Sequence, residues 1–162
     1  MRGVMSNLES LKFYFRVLVL VSVALNVGSA FLPYFESWAY GSEVNDLLTW
    51  SGYNSPFSWE VRSGIWYGML FAYGIVCIGL IYFKPWAREC FLLIVALTIL
   101  STFIYGVNVL TEATSVYFYI WNLIEGIIIA MIYFSELKNE FTVTHNKRME
   151  ADHQNSAPFD GD

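Results

Sequence analysis

One acidic residue, Glu125, lies inside the last long apolar run of the chain, Val116 to Phe134. In a helix, Glu125 falls near the middle of a bilayer span, and Asn122 lies one turn earlier on the same side. A charged side chain at that depth costs about 3 kcal/mol or more, so such residues usually face the interior of a helix bundle. Glu125 either fixes helix packing, bonded to Asn26, a hydroxyl or Trp121, or binds a proton or cation during transport. Without a basic partner in any span, the packing role is favoured.

Residue types that support other chemistry are absent from the apolar runs. Both histidines, His145 and His153, lie in the C-terminal tail, so the runs offer no pair of haem ligands and no tetrahedral metal set. There is no glycine-rich phosphate loop, no nucleophile-elbow serine and no separate basic patch for nucleic acid. Cys77 and Cys90 do not form a CxxC pair, which argues against disulfide or thiol redox chemistry. We therefore predict no catalytic residue, no cofactor, no metal and no nucleic-acid partner.

The composition indicates the class of protein. Of 162 residues, 56% are hydrophobic, 19% aromatic and only 14% charged, whereas soluble domains carry roughly 25% charged residues. The net charge of −5 does not indicate an acidic binding surface, because most acids lie in the 36–60 loop and the C-terminal tail. The sequence predicts a polytopic membrane protein whose first partner is the lipid bilayer.

Four apolar runs are long enough to cross a bilayer. They predict transmembrane helices at about residues 13–35, 63–83, 87–109 and 114–135, with Pro85 in the first turn of the third helix. The predicted fold is all-α: an antiparallel four-helix transmembrane bundle within residues 1–141, followed by a disordered tail, 142–162. The first run, with a basic leader and Gly28-Ser29-Ala30, also fits a cleaved signal peptide. Asn26 and the continuation of the run to Phe35 favour a retained helix.

The longest connection, Glu36 to Arg62, is acidic and rich in aromatic residues. Val44, Leu47 and Leu48 have one-turn spacing, and Ser42 could cap the start of a short helix. The expected structure is an outer segment lying in the membrane interface. Its aromatic residues would lie at headgroup level: Trp38, Tyr40 and Trp50.

The second predicted span carries Gly64, Gly68 and Ala72 at intervals of four residues. These small side chains form one face of a helix. In lipid, close backbone approach through small residues is a main source of attraction between helices. We expect this face to pack tightly on a neighbour within the chain or in a second copy, and the first option is favoured.

Basic residues indicate the orientation. Eight of the nine Lys and Arg residues fall on one side of the predicted spans, and Arg62 falls on the other: the eight are Arg2, Lys12, Arg16, Lys84, Arg88, Lys138, Lys147 and Arg148. By the positive-inside rule, both termini are then cytoplasmic. The Glu36–Arg62 connection and the link that contains Glu112 face outward.

Two segments carry a family resemblance: the turn Phe83-Lys84-Pro85-Trp86-Ala87-Arg88, and the closing segment from Glu125-Gly126-Ile127 through Tyr133-Phe134-Ser135 to Phe141. They resemble a broad group of small bacterial inner-membrane proteins of unknown function. The resemblance covers the second to fourth predicted spans. In that group an acid followed by Gly is usual in the last span, often Asp where this chain has Glu125, and Pro is common where Glu136 stands. The resemblance implies a bacterial inner-membrane setting and adds no activity.

The expected function is that of a non-enzymatic accessory or interaction protein, acting on another membrane protein or on a second copy. The alternative is a small proton- or cation-coupled transporter that uses Glu125. The four-span size also resembles small multidrug exporters, but their essential Glu lies in the first span and Glu125 lies in the fourth.

Overall fold

The computed structural model describes residues 2–48, 55–105 and 110–142, with side chains for 7–40, 55–101 and 110–142. Five long helices account for most of these ranges, and no strand occurs in them. The helices are α1 (Arg2–Ser29), α2 (Leu32–Leu48), α3 (Trp59–Ile81), α4 (Pro85–Tyr105) and α5 (Glu112–Phe134). The all-helical prediction is therefore confirmed for the described part of the chain.

Three of the helical segments are long and apolar enough to cross a membrane: Asn7–Ser29, Trp59–Ile81 and Glu112–Phe134. Their outward surfaces carry many exposed large apolar side chains, among them Leu20, Phe71 and Leu123. An exposed apolar surface of this kind suits lipid rather than water. The structure thus indicates a multi-pass membrane protein.

Helices α1, α3, α4 and α5 contact one another in a ring. α1 packs against α3 and α5, and α4 packs against the same two helices. Fully or almost fully buried apolar side chains from all four helices fill the centre: Phe15, Val19, Cys77, Leu80, Phe91, Ile128 and Ile132. α2 lies outside this core, and Trp38 on it is 83% exposed.

The chain breaks between α1 and α2 earlier than the sequence predicts. α1 ends at Ser29 and α2 begins at Leu32, so the first helix stops short of Phe35. Pro33 lies in the first turn of α2, where its missing N–H would have no helical partner in any case. Proline therefore begins a second helix here. The expected helix start at Ser42 is wrong, because α2 already runs through that position, and Trp50 lies outside the described residues.

A tight turn joins α3 to α4. The N–H of Lys84 donates to the Gly79 carbonyl and the N–H of Phe83 to that of Leu80, which is the Schellman pattern of a helix end. Phe83 occupies the left-handed position, with φ of 52°. α4 begins at Pro85, and the Cβ of Ala87 lies 2.6 Å from where a side chain on Gly79 would begin. Close helix contact in this molecule is thus made at Gly79.

The expected tight packing at Gly64 and Gly68 is not found within the described chain. Both residues are exposed, and no atom lies within 4 Å of a Cβ placed on either one. Ala72 is half-buried. The reason lies in the rotation of α3: its buried residues Tyr73, Cys77 and Leu80 point to the opposite side of the helix from the two glycines.

The segment after α5 folds back over one end of the ring. Phe141 packs edge-on against the rings of Phe15 and Phe83, with centroids 6.3 and 5.3 Å apart. An ion pair of 3.1 Å joins Lys12 of α1 to Glu140. The start of α1, the α3–α4 turn and the end of α5 therefore share one end of the molecule. Of the tail predicted to be disordered, residues 143–162 lie outside the described residues.

Candidate functional site

Helix α1 carries polar residues on its buried side. Ser22, Asn26 and Ser29 follow at intervals of four and three residues and are 0%, 5% and 6% exposed. Residues with this spacing share one face of a helix. The Ser29 hydroxyl donates to the backbone carbonyl of Asn26. This bond satisfies the buried Ser29 hydroxyl in apolar surroundings.

Helix α5 presents a matching set to α1. Thr114, Tyr117, Trp121 and Glu125 follow at intervals of three and four residues, and Thr114 and Glu125 are buried. The Tyr117 hydroxyl donates to the Leu25 carbonyl of α1, so the two helices are joined directly. Gly28 allows this approach, because a Cβ there would lie 2.7 Å from the Tyr117 hydroxyl oxygen. We call these residues the α1–α5 polar seam: Ser22, Asn26, Ser29, Thr114, Tyr117, Trp121 and Glu125.

Glu125 is 6% exposed and lies at the inner limit of the polar seam. Its carboxyl group faces the Tyr73 hydroxyl of α3 and the Trp121 indole N–H. The Tyr73 hydroxyl also shares a 2.5 Å hydrogen bond with the Ser22 hydroxyl of α1. Side chains from three helices therefore meet around one buried acid. Among the described residues, no basic side chain pairs with it.

The structure separates the two asparagines that the sequence groups with Glu125. Asn26 lies inside the polar seam, one turn from Ser22. Asn122 is exposed, so it is not brought together with Glu125 in the interior. Three residues along a helix leave two side chains about 60° apart around the axis, which is enough to turn Asn122 past the edge of the α1–α5 contact.

The opposite end of the seam holds a second buried acid, Glu36 of α2, which is 9% exposed. Its carboxylate accepts hydrogen bonds from the hydroxyls of Thr111, at 2.7 Å, and Thr114. Thr111 is also the N-cap of α5 and accepts from the Thr114 N–H. A carboxylate at a helix N-terminus is stabilised further by the helix dipole. The sequence alone placed Glu36 among the acids of the outer loop. The overlooked signal is the N-cap pattern Thr111-x-x-Thr114, which supplies the two hydroxyls that bind the Glu36 carboxylate.

The arrangement suits hydrogen bonding and proton binding. Two buried carboxyl groups, Glu36 and Glu125, lie at the two ends of a row of hydroxyl, amide and indole groups. No cluster of three or more His, Cys, Asp or Glu side chains is close enough to hold a metal ion in the part of the chain that the structure describes.

The chain matches no protein-family model, no curated protein and no solved structure. The resemblance of its α3–α5 region to small bacterial inner-membrane proteins therefore stays a prediction.

Proposed function

We propose that this protein is a non-enzymatic bacterial inner-membrane protein that works by binding another membrane-spanning helix, in a partner protein or in a second copy. The observation that carries the proposal is the unfilled surface around Gly64 and Gly68. Two glycines one turn apart on an exposed face of a membrane-spanning helix permit close backbone approach by another helix. The chain itself does not use that surface among its described residues.

A second exposed feature supports the same function. Asn122 lies near the middle of α5 and is exposed, with Gly126 one turn further along and no atom within 4 Å of its Cβ position. An amide that faces hydrocarbon lacks the hydrogen bonds it would make in water. Contact with a neighbouring helix would supply those bonds and cover the glycine, and polar side chains between helices are a known source of association in membranes.

The proposed setting is a four-helix transmembrane bundle with cytoplasmic termini. Helix α4 would be the fourth span, because no charged residue occurs from Cys90 to Thr111 and the helix packs on both α3 and α5. Arg16 and Arg88 lie over the rings of Phe83 and Tyr133 at the end where the α3–α4 turn is found. Arg62 belongs to the first turn of α3, at the other end. This bias of basic residues supports a cytoplasmic location for the first end.

The test is a pair of substitutions that fill the glycine surface. Gly64→Leu with Gly68→Leu should leave folding intact, since no atom stands within 4 Å of either Cβ position, but should abolish association with the partner helix. Association is measured by crosslinking in native membranes followed by co-purification in mild detergent. Ala96→Leu, on an exposed face of α4, adds apolar volume at a different surface and is the control. Crosslinked products that survive the double substitution unchanged would refute the proposal.

A proton- or cation-coupled transporter is the second candidate, favoured by the burial of Glu125 against Tyr73 and Trp121. Glu125→Gln keeps the shape of the side chain and removes its ability to exchange a proton. Lost proton-coupled transport in a well-folded variant would support this candidate, and an unchanged phenotype with unchanged folding would remove it.

A further inference from the structure

We infer that the α1–α5 polar seam is a proton path that connects Glu125 to the outer end of the molecule, with Glu36 at its mouth, and that Glu125 has no such connection to the cytoplasmic end. The ligand is the proton. This inference rests on the second candidate function and is independent of the partner-binding proposal.

Polar side chains follow one another along the seam from Thr114 to Glu125. Thr114 and Glu125 are eleven residues apart on α5, or about 16 Å along the helix axis. Over that length every turn of α5 places a polar side chain in the interface, and α1 does the same from Ser22 to Ser29. Groups one turn apart are about 5 Å from each other, a gap that one water molecule can bridge.

The α1–α5 interface is polar on one side of Glu125 and apolar on the other. Beyond Glu125, the next buried residues of α5 are Ile128 and Ile132, and beyond Ser22 those of α1 are Val19 and Phe15. All four are 0% exposed. Protons do not cross a packed apolar layer of this kind, because no group in it can donate or accept a hydrogen bond. Along α1 and α5, polar groups therefore reach Glu125 from one direction.

The seam contains more hydrogen-bonding capacity than its described side chains use on one another. The Trp121 indole N–H is buried, and within the described chain it makes no hydrogen bond of normal geometry. The Asn26 amide, which can both donate and accept a hydrogen bond, is 5% exposed on the same line. Buried polar groups nearly always find a partner in the protein or in ordered water, so the Trp121 N–H calls for a water molecule in the seam. Spare donors and acceptors along one line are what a chain of water molecules requires.

The groups that surround the two acids fit this direction of transfer. The titratable side chains that face Glu125 are Tyr73 and Cys77, both on α3. Glu36 faces the hydroxyls of Thr111 and Thr114. Neither acid has a basic partner among the described side chains.

The experiment uses the full-length protein reconstituted with one orientation in sealed vesicles, whose inner and outer pH are set independently. A membrane-permeant carbodiimide, which reacts with protonated carboxyl groups in apolar surroundings, labels Glu125, and mass spectrometry measures the extent. We expect labelling to rise when the outer pH is lowered and to be unaffected by the inner pH. Asn26→Leu should slow the response to an outer pH jump, because it places an apolar side chain in the path. Glu36→Gln should slow it as well, whereas Glu112→Gln, an exposed acid beside the same end of α5, should not.

The possible outcomes distinguish the proton path from proton binding at Glu125, the function on which the path rests. Labelling that follows the inner pH, or an Asn26→Leu response as fast as that of the wild type, overturns the path and leaves proton binding at Glu125 intact. No labelling of Glu125 at any pH overturns both. If Asn26→Leu does not give a monodisperse protein, Thr114→Val at the mouth of the seam replaces it, with the same expected slowing.

Discussion

At Phe83 we expect glycine to be less destabilising than alanine, which reverses the usual order of these two substitutions within a helix. Its φ is 52°, a backbone conformation that residues other than glycine rarely adopt. The ring is held in place by Phe15, stacked at 5.6 Å, by Phe141 at 5.3 Å, and by the Arg16 guanidinium at 5.4 Å. Packing therefore holds a backbone conformation that the residue type disfavours.

Phe83→Ala and Phe83→Gly both remove the ring, at a cost of about 3–5 kcal/mol for a buried phenylalanine. They differ in the backbone. Alanine keeps the left-handed penalty of about 1–2 kcal/mol, while glycine avoids it and gives up about 0.5–1 kcal/mol through its more flexible unfolded chain. The free energy of unfolding of Phe83→Gly should therefore exceed that of Phe83→Ala by about 0.5–1 kcal/mol.

The assay is reversible unfolding in mixed micelles of a mild and a denaturing detergent, followed by circular dichroism. Leu80 provides the matched control, since it lies one turn earlier, within α3, and is fully buried. At that position Leu80→Gly should be less stable than Leu80→Ala by about 1 kcal/mol. Should Phe83→Gly prove no more stable than Phe83→Ala while the Leu80 pair behaves as expected, the argument from backbone strain would be refuted.

Two further predictions concern helix contacts. Gly79→Ala would bring a Cβ to 2.6 Å from that of Ala87, so we expect a loss of about 1–3 kcal/mol in the free energy of unfolding, measured in the same assay. Gly64→Ala, with open space around it, should not lose stability. Equal losses at both positions would contradict this reasoning. Thr114→Val removes a hydroxyl donor from the Glu36 carboxylate, at a cost of about 1–3 kcal/mol for the buried acceptor. We expect faster hydrogen exchange in α2 and unchanged exchange in α4, measured by mass spectrometry; equally fast exchange in both helices would indicate general unfolding instead.

The sequence predicted the features that depend on composition and local rules. Long uncharged runs predicted helices in a membrane protein, and three described helices are long and apolar enough to cross a bilayer. α4 begins at Pro85, where the missing N–H of proline is harmless. Features that depend on helix rotation were not predictable in the same way. The small residues Gly64 and Gly68 identified a face suited to close contact, but the favoured expectation of a neighbour within the same chain is not met among the described residues.

In the polar seam, too, the sequence predicted only what a single helix shows. Glu125 could be singled out from one helix, because a carboxyl group in a long apolar run is rare enough to need an explanation. Its neighbours Tyr73 and Ser22 come from two other helices, and no spacing within α5 points to them. Asn122 was grouped with Glu125 because i, i+3 pairs are neighbours on a helix surface, yet the edge of the α1–α5 contact falls between them.

The two proposals use different sides of the bundle and can therefore be separated by mutation. The partner surface at Gly64 and Gly68 faces outward from α3, while the seam lies inside, between α1 and α5. Filling the glycines should leave Glu125 labelling unchanged, and Asn26→Leu should leave crosslinking unchanged. A substitution on one side that alters both readouts would mean that the bundle moves as one unit when the partner binds. The inner path and the outer surface would then belong to a single mechanism.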